Sequence, residues 1–253
     1  FKLPEPSEIR RELLRVQESL GHFLPDNSID ITGAYGDYLI ANGTLNAQIS
    51  LPKQFVRLRL LNAEIERGYD IGLSDNRTFN IIGNDGGLLN APVAVNRVKL
   101  MPGERVEILI NLGNDVVGSS IDLKAFNTGQ KFGFPGAEPA PAGEFGSLLN
   151  NKDFNLLHII IGASTSNAIT ALPNKLASNT YWTNAEVTNS RTINITGGQA
   201  GSAFNFDNNT YGFTKINQTI NLNAIEKWTI VNNNIFGHSF HVQDVKFKII
   251  ARS

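Results

Sequence analysis

The chain has 253 residues, of which 41% are hydrophobic and 18% charged, a composition typical of a globular protein and not of a disordered one. The 22 basic and 23 acidic residues give a formal net charge of −1, which argues against a nucleic-acid partner because such a partner needs a basic face. The absence of cysteine excludes disulfides and thiolate metal sites within this sequence, and no apolar run is long enough for a transmembrane helix.

The first 24 residues allow two interpretations. Aliphatic residues recur at helical spacing between Ile9 and Leu20, and residues 8–20 are rich in helix formers, which predicts a short amphipathic helix. Residues 13–18 are equally compatible with a strand. Phe1 is followed by neither a basic nor an apolar leader region, so we expect no signal peptide in this sequence.

The rest of the chain has the pattern of an all-β protein. Short apolar runs alternate with turns that are rich in its 23 glycines and 10 prolines. Three segments alternate apolar and polar residues with a period of two, which is typical of half-buried strands: Val56–Leu60, Val106–Ile110 and Lys246–Ile249. Many short strands at this spacing predict a sandwich or a barrel.

Two shifts in composition predict where these strands are interrupted. Residues 132–146 are rich in proline and glycine and are expected to form a surface loop. Residues 163–190 are rich in Ser, Thr, Asn and Ala without alternation, which predicts a connection between two domains. The piece after this connection has only about 60 residues, which is small for a β domain.

The chain has four histidines, and acidic residues at several turns, that are candidates for chemistry. His158 lies within the apolar run Leu156–Ile161 and is predicted to be a hydrogen-bonded structural residue of a strand, while His22 is predicted to face solvent. Three acidic residues at turns are predicted to stabilise those turns and not to act as acids or bases: Asp75, Asp85 and Glu104. The other two histidines, His238 and His241, lie three residues apart, and such a pair is by itself typical of ordinary polar residues on a strand.

Four segments, in this order and spacing, resemble the middle cupredoxin domain of the three-domain multicopper oxidases, the group of laccase-like, cuprous-oxidase and spore-coat proteins. A cell-division relative without copper shares this middle domain. The segments are Tyr35–Gly43, Phe55–Asn62, Ile82–Leu89 and Met101–Ile110.

The other end of the chain resembles the beginning of that family's third domain. Glu226–Asn232 is similar to the strand that precedes the family's His-x-x-His-x-His copper motif, and Gly237–Asp244 is similar to the motif itself. The family's link between its first two domains also has a Leu-Pro pair followed by a strand, as Leu3–Pro4 and residues 13–18 would be, which favours the strand there.

The resemblance implies an all-β fold of cupredoxin-like Greek-key β-sandwich or β-barrel domains, of which the second is incomplete. Residues 1–163 would be the interdomain strand and the middle domain, 164–190 a linker, and 191–253 the N-terminal part of a truncated third domain. An incomplete domain would leave the apolar side chains of Trp228, Ile230, Phe247 and Ile249 uncovered. We therefore expect either that the molecule is longer than these 253 residues or that this part of the chain self-associates with a neighbouring molecule.

By the same resemblance, His238 would be a type 1 copper ligand and His241 a type 2 copper ligand. Gln243 stands at the position of a type 3 histidine, and Asp244 stands where the family has glycine. In an extended strand, residues three apart point to opposite faces, so one strand would offer the two histidines to two sites. The glutamine amide is neutral and offers copper only a weak oxygen ligand.

The resemblance therefore implies part of a periplasmic or extracellular multicopper oxidase. Such enzymes remove single electrons from phenols, amines or metal ions and reduce dioxygen to water. This sequence has no His-x-His pair and no His-Cys-His run, so we expect the 253-residue chain alone to be inactive. The alternative is a copper-free cupredoxin-fold protein with a structural or interaction role, like the cell-division member of the family.

Overall fold

The computed structural model describes residues 35–138, 147–198 and 203–252, except 244 and 246. The interpretations of residues 3–4 and 13–18, of His22 and of Asp244 lie outside these residues. None of the helices among the described residues has the length and apolarity needed to cross a bilayer. Regular structure in the described part is nearly all strand, as the sequence predicts.

The described strands and the single short helix follow each other in this order along the chain. They are β1 (Ile40–Ala41), β2 (Thr44–Leu45), β3 (Gln48–Pro52), β4 (Phe55–Leu61), β5 (Tyr69–Leu73), β6 (Phe79–Asn84), β7 (Gly87–Val95), β8 (Val98–Leu100), β9 (Arg105–Asn111), β10 (Ser120–Phe126), β11 (Asp153–Gly162), a 3₁₀ turn (Asn184–Glu186), β12 (Asn189–Thr196), β13 (Asn205–Phe206) and β14 (Glu226–Asn232).

Two sheets form a sandwich. One has five strands in the order β3-β11-β10-β5-β8, and the other has four antiparallel strands in the order β4-β9-β6-β7. In the first sheet β11 runs parallel to β3 and antiparallel to β10. The two sheets stay open and separate, so the fold is a sandwich, and the barrel alternative from the sequence is not observed.

The core lies between these two sheets, and the alternation in β9 shows how the sequence builds it. Val106, Ile108 and Ile110 are 4%, 0% and 0% exposed, while the residues between them face away from the core. Strand β4 pairs with β9 so that Leu58 lies opposite Ile108 and packs against the same core. The predicted strands Val56–Leu60 and Val106–Ile110 are therefore confirmed.

A buried arginine contacts two segments that are far apart in the sequence. Arg67 is 2% exposed, and its two terminal nitrogens donate hydrogen bonds to Asn150 Oδ1 and Ser147 Oγ, each at 2.9 Å. Its guanidinium lies over the ring of Tyr35, 4.7 Å from the ring centre. Burial lowers the pKa of Arg67, and these polar partners offset that loss of hydration.

The segment between Gly162 and Asn189 follows the surface of the sandwich. Ile169 O accepts a hydrogen bond from Phe55 N at 3.0 Å, which holds the segment beside β4. Asn90, on the edge strand β7, accepts from Leu176 N through its backbone oxygen and from Asn179 N through its side chain. The proposed division into domains at 163 and 190 stays a prediction, and the connection is hydrogen-bonded to the first part.

A third, smaller sheet has the order β13-β12-β14, with β12 and β14 parallel. Ile193 and Ile195 of β12 are buried. Arg191 on β12 donates to Glu226 on β14 at 2.7 Å, and Trp228 Nε1 donates to the other oxygen of the same carboxylate at 2.6 Å. These contacts hold the two parallel strands in register.

The strand predicted at Lys246–Ile249 is wrong for its described part. Residues 247–250 are irregular, and Phe247 and Ile249 are 60% and 55% exposed. An alternating pattern becomes a strand only when a neighbouring strand accepts its backbone hydrogen bonds, and no described strand pairs with these residues. Trp228 and Ile230, also expected to be uncovered, are half-buried instead.

Replacing Ile108 by Ala should lower the free energy of unfolding by about 2–5 kcal/mol, because the side chain is completely buried between the sheets. Leu61→Ala is the matched control, since Leu61 lies on the neighbouring strand but is 58% exposed. Its cost should stay below about 0.5 kcal/mol. Urea unfolding of both variants measures the difference, and equal losses would contradict the assigned core.

Acid should weaken the third sheet through Glu226. The hydrogen bond from Arg191 lowers the pKa of the Glu226 carboxyl below its ordinary value of about 4.3. A carboxyl with a lowered pKa stabilises the folded state above its unfolded pKa, and this contribution is lost as the pH falls through the folded pKa. Glu226→Gln should therefore be less stable than the parent at pH 7. Between pH 5 and pH 3, the free energy of unfolding should fall less for Glu226→Gln than for the parent. If the difference in free energy of unfolding between the two proteins stays constant across this pH range, the prediction is contradicted.

Candidate functional site

The candidate site lies in the segment that leaves the third sheet after β14. Asn232 Oδ1 accepts a hydrogen bond from Asn234 N at 3.3 Å, and Asn234 Oδ1 accepts one from Phe236 N at 2.9 Å. Two successive turns of this kind, in which an Asn side chain bonds the backbone two residues on, end the strand. The histidines that follow therefore lie on irregular backbone and not on a strand, unlike the geometry predicted above.

His238 is half-buried and held from two sides. Its Nε2 lies 3.0 Å from Asn234 Oδ1, and its ring packs edge-on against Phe204 with 4.8 Å between the ring centres. Because Asn234 Oδ1 also accepts from a backbone N–H, it is an acceptor here, and the hydrogen must be on His238 Nε2. Burial lowers the pKa of His238, which keeps the imidazole neutral at pH 7.

His241 is exposed and has a different partner. Its Nε2 lies 2.9 Å from the side-chain oxygen of Gln243. The side chains of His241 and Gln243 are thus in contact, although the backbone between them is irregular. Within the part of the chain that the structure describes, the two histidines share no hydrogen-bonding partner.

The segment that carries His238 is fixed to the large sandwich through the loop at 132–136. Gly237 N donates to Gly133 O at 2.5 Å, and the rings of Phe132 and Phe236 lie 6.4 Å apart. Gly133 has φ +94°, and a Cβ there would lie 2.2 Å from Ile235 O, so only glycine fits. A surface groove of about 670 Å³ opens beside this contact and is lined by residues such as Lys99, Phe134 and His238.

The side chains around His238 and His241 can be compared with the ligands that the copper implied by the resemblance would need. Copper centres in proteins take several imidazole, thiolate or thioether ligands. The described residues contain no group of three or more His, Cys, Asp or Glu that could hold a metal ion. These residues alone do not fit a copper centre, and the ligand roles of His238, His241 and Gln243 stay predictions.

The other candidate residues have structural roles, as the sequence predicts. His158 on β11 lies opposite Asp122 on β10, and its Nδ1 is 2.7 Å from Asp122 Oδ1. The three turn carboxylates accept backbone hydrogen bonds: Asp75 from Arg77 N, Asp85 from Arg105 N and Glu104 from Met101 N.

Sequence reasoning missed the residues that hold the histidines in place. Asn234 and Phe204 contact His238 directly, and Gly133 anchors the backbone beside it. The run Asn232–Asn234 after a strand is a turn signal that could have revealed the end of β14. No local signal points to Phe204 or Gly133, because both contacts join distant parts of the chain.

Comparisons with known proteins extend these observations. A family profile described as "Multicopper oxidase" matches residues 184–253. The cell division protein FtsP of Xenorhabdus nematophila is 32% identical over 225 residues, which cover 87% of this chain and 43% of that protein. FtsP of Pectobacterium atrosepticum is 46% identical over 93 residues, 37% of this chain and 19% of that protein. The chain spans less than half the length of these relatives.

Solved structures show the same fold. A laccase-like multicopper oxidase from Ochrobactrum sp. matches 83% of this chain and 45% of its own with a TM-score of 0.66 and 22% identity. A multicopper oxidase from Aquifex aeolicus matches 81% of this chain and 43% of its own with a TM-score of 0.64 and 22% identity. The sandwich described above is thus of the cupredoxin type found in multicopper oxidases, as the sequence resemblance predicts.

Adding Cu(II) to the 253-residue chain should produce no intense blue absorption, because that band requires a cysteine thiolate on copper and the chain has no cysteine. We expect at most weak binding that His238→Ala and His241→Ala each reduce. Absorption spectra and a calorimetric copper titration measure both effects. An intense blue band from this polypeptide would contradict the ligand assignment.

Proposed function

Because this chain is a multicopper-oxidase-like protein of the cupredoxin fold, we propose that it acts without copper, through contacts with other proteins, in bacterial cell division. The relatives named above at 32% and 46% identity are both cell division proteins. By the same resemblance, its location would be periplasmic or extracellular.

The observation that carries this proposal is the pairing of His241 with Gln243. The family's motif has an imidazole at position 243, whereas here an amide oxygen lies 2.9 Å from His241 Nε2. An amide oxygen is a poor ligand for copper, and here it engages one of the two ring nitrogens of His241. One ring nitrogen of His238 is likewise engaged in a hydrogen bond, since its Nε2–H is donated to Asn234 Oδ1.

The second candidate is a copper-dependent oxidase, which would remove single electrons from phenols, amines or metal ions and pass them to dioxygen. The retention of both His238 and His241 in a motif-like spacing favours it. His238 Nδ1, which keeps its lone pair when Nε2 carries the hydrogen, would then be the ligand atom. The remaining copper ligands would have to come from outside this sequence.

The two candidates differ in what the histidines are needed for. In a bacterium whose own division homologue has been deleted, the gene carrying the double substitution His238→Ala and His241→Ala should restore division as well as the unsubstituted gene does. Cell length and septum counts under the microscope measure the result. Ser239→Ala, between the two histidines, is the matched control for disturbance of the segment.

Phenol oxidation by the copper-supplemented proteins is the parallel assay. We expect no copper-dependent dioxygen consumption above the buffer rate from either protein. Copper-dependent turnover that the double substitution abolishes, together with loss of division, would overturn the proposal in favour of the oxidase.

A further inference from the structure

The segment after β11 reaches both outer strands of the four-stranded sheet, whose order is β4-β9-β6-β7. At strand β4, Phe55 N donates to Ile169 O at 3.0 Å. At strand β7, Leu176 N donates to Asn90 O at 2.9 Å. We propose that residues 164–179 form a strap that packs on the outer face of this sheet and closes the edge of β7, with Asn90 as its latch. This inference does not depend on the function proposed above.

The two attachment points make the strap cross the sheet diagonally. Phe55 pairs with the end of β9, which lies beside the start of β6. The start of β6 pairs with the end of β7 at Val95, whereas the strap reaches β7 at Asn90, nearer its start. The diagonal is roughly 20 Å long, and the chain from residue 169 to residue 176 spans at most about 25 Å. Such a short segment cannot pass around the ends of the strands, so it lies on the outer face.

The outer face contains an aliphatic residue that needs a cover. Ile82 on β6 is 4% exposed, yet it does not belong to the described cluster of buried residues between the two sheets. Its neighbour Ile81 packs against that cluster, and successive strand residues point to opposite faces, so Ile82 points to the outer face. The strap supplies the half-buried side chains of Leu172 and Leu176. Burial of apolar surface between Ile82 and these leucines would hold the strap on the sheet.

Asn90 holds the end of the strap with its side chain as well as its backbone. Its Oδ1 accepts from Asn179 N at 2.6 Å, and its Nδ2 donates to Asn179 O at 3.3 Å. One side-chain amide thus bonds both backbone groups of one residue, as a paired residue of a neighbouring strand would. Asn179 adds a third bond, because its Nδ2 donates to Leu88 O at 2.8 Å. The side chains of Asn90 and Asn179 together fix the strap to β7.

The latch occupies backbone groups that an edge strand otherwise leaves open. The oxygens of Leu88 and Asn90 point to the same outer side, where the strap supplies their donors. Pro92, farther along β7, has no N–H to donate. Other chains add strands at open groups on a sheet edge, so the strap closes this edge with the protein's own backbone. Both partners of each bond lie within this sequence, so the contact depends on no segment outside it.

Trypsin cleavage after Lys175 measures how firmly the strap is held. Lys175 is exposed, but the N–H of the next residue is bonded to Asn90, so the parent should be cut slowly there. Asn90→Ala removes both side-chain bonds to Asn179 and should raise the cleavage rate roughly tenfold. Asn96→Ala is the matched control, since Asn96 is exposed just beyond β7 and its side chain bonds Asn76. Equal rates in the parent and both variants overturn the proposal.

Hydrogen exchange separates an opened strap from an unfolded sandwich. In Asn90→Ala, the backbone amides of Leu176 and Asn179 should exchange faster than in the parent, whereas the amide of Ile108 in the core strand β9 should keep its rate. Unchanged exchange at the two strap amides overturns the proposal. Equal acceleration at Ile108 also overturns it, because Asn90 would then stabilise the whole sandwich and not the strap.

The packing of the strap on the outer face has its own test. Leu172→Ser places a polar side chain where the strap faces the sheet, so it should also speed cleavage after Lys175. Ala171→Ser is the matched control, since Ala171 is the exposed neighbour. If Leu172→Ser is cut no faster than Ala171→Ser, the strap does not pack on this face and the proposal fails.

Discussion

The charge of Arg67, buried at the end of the sandwich, is the constraint on which the arrangement of the surrounding loops depends. A guanidinium that is 2% exposed has to find hydrogen-bond acceptors inside the protein, since leaving it unpaired costs several kcal/mol. Asn150 and Ser147 supply them from one loop, and the ring of Tyr35 covers the group from another segment. Segments that are far apart in the sequence are thereby fixed to one point.

This point is connected to the candidate site through the loop at 132–136. A Cβ on Gly136 would lie 2.9 Å from Arg67 Nη1, so the loop packs directly on the guanidinium. Three residues earlier, Gly133 O accepts the hydrogen bond from Gly237 N, next to His238. The position of His238 thus depends on a contact with the large sandwich as well as on the third sheet. Tyr35 adds to the same anchor, because its hydroxyl donates to Glu138 and accepts from Gly136 N.

The sequence predicts what depends on local alternation and does not predict what depends on distant partners. The core strand β9 follows from the period of two in Val106–Ile110, and the role of His158 follows from its position within an apolar strand. Arg67 has no such signal, since a charged residue is usually exposed and its acceptors are about 80 positions away. The failed strand at Lys246–Ile249 has the same cause, because its pattern is correct but no described strand pairs with it.

The same distinction governs how the two histidines are interpreted. A motif records which residue types stand at which spacing, and by that measure His238 and His241 resemble copper ligands. Their contacts give each of them a use that requires no metal: His238 packs on Phe204 and donates to Asn234, and His241 pairs with Gln243. A neutral imidazole with one N–H and one lone pair suits such contacts. The presence of the histidines alone does not establish a copper site, and the copper-free proposal is based on residue 243, because its amide oxygen is a poor ligand for copper.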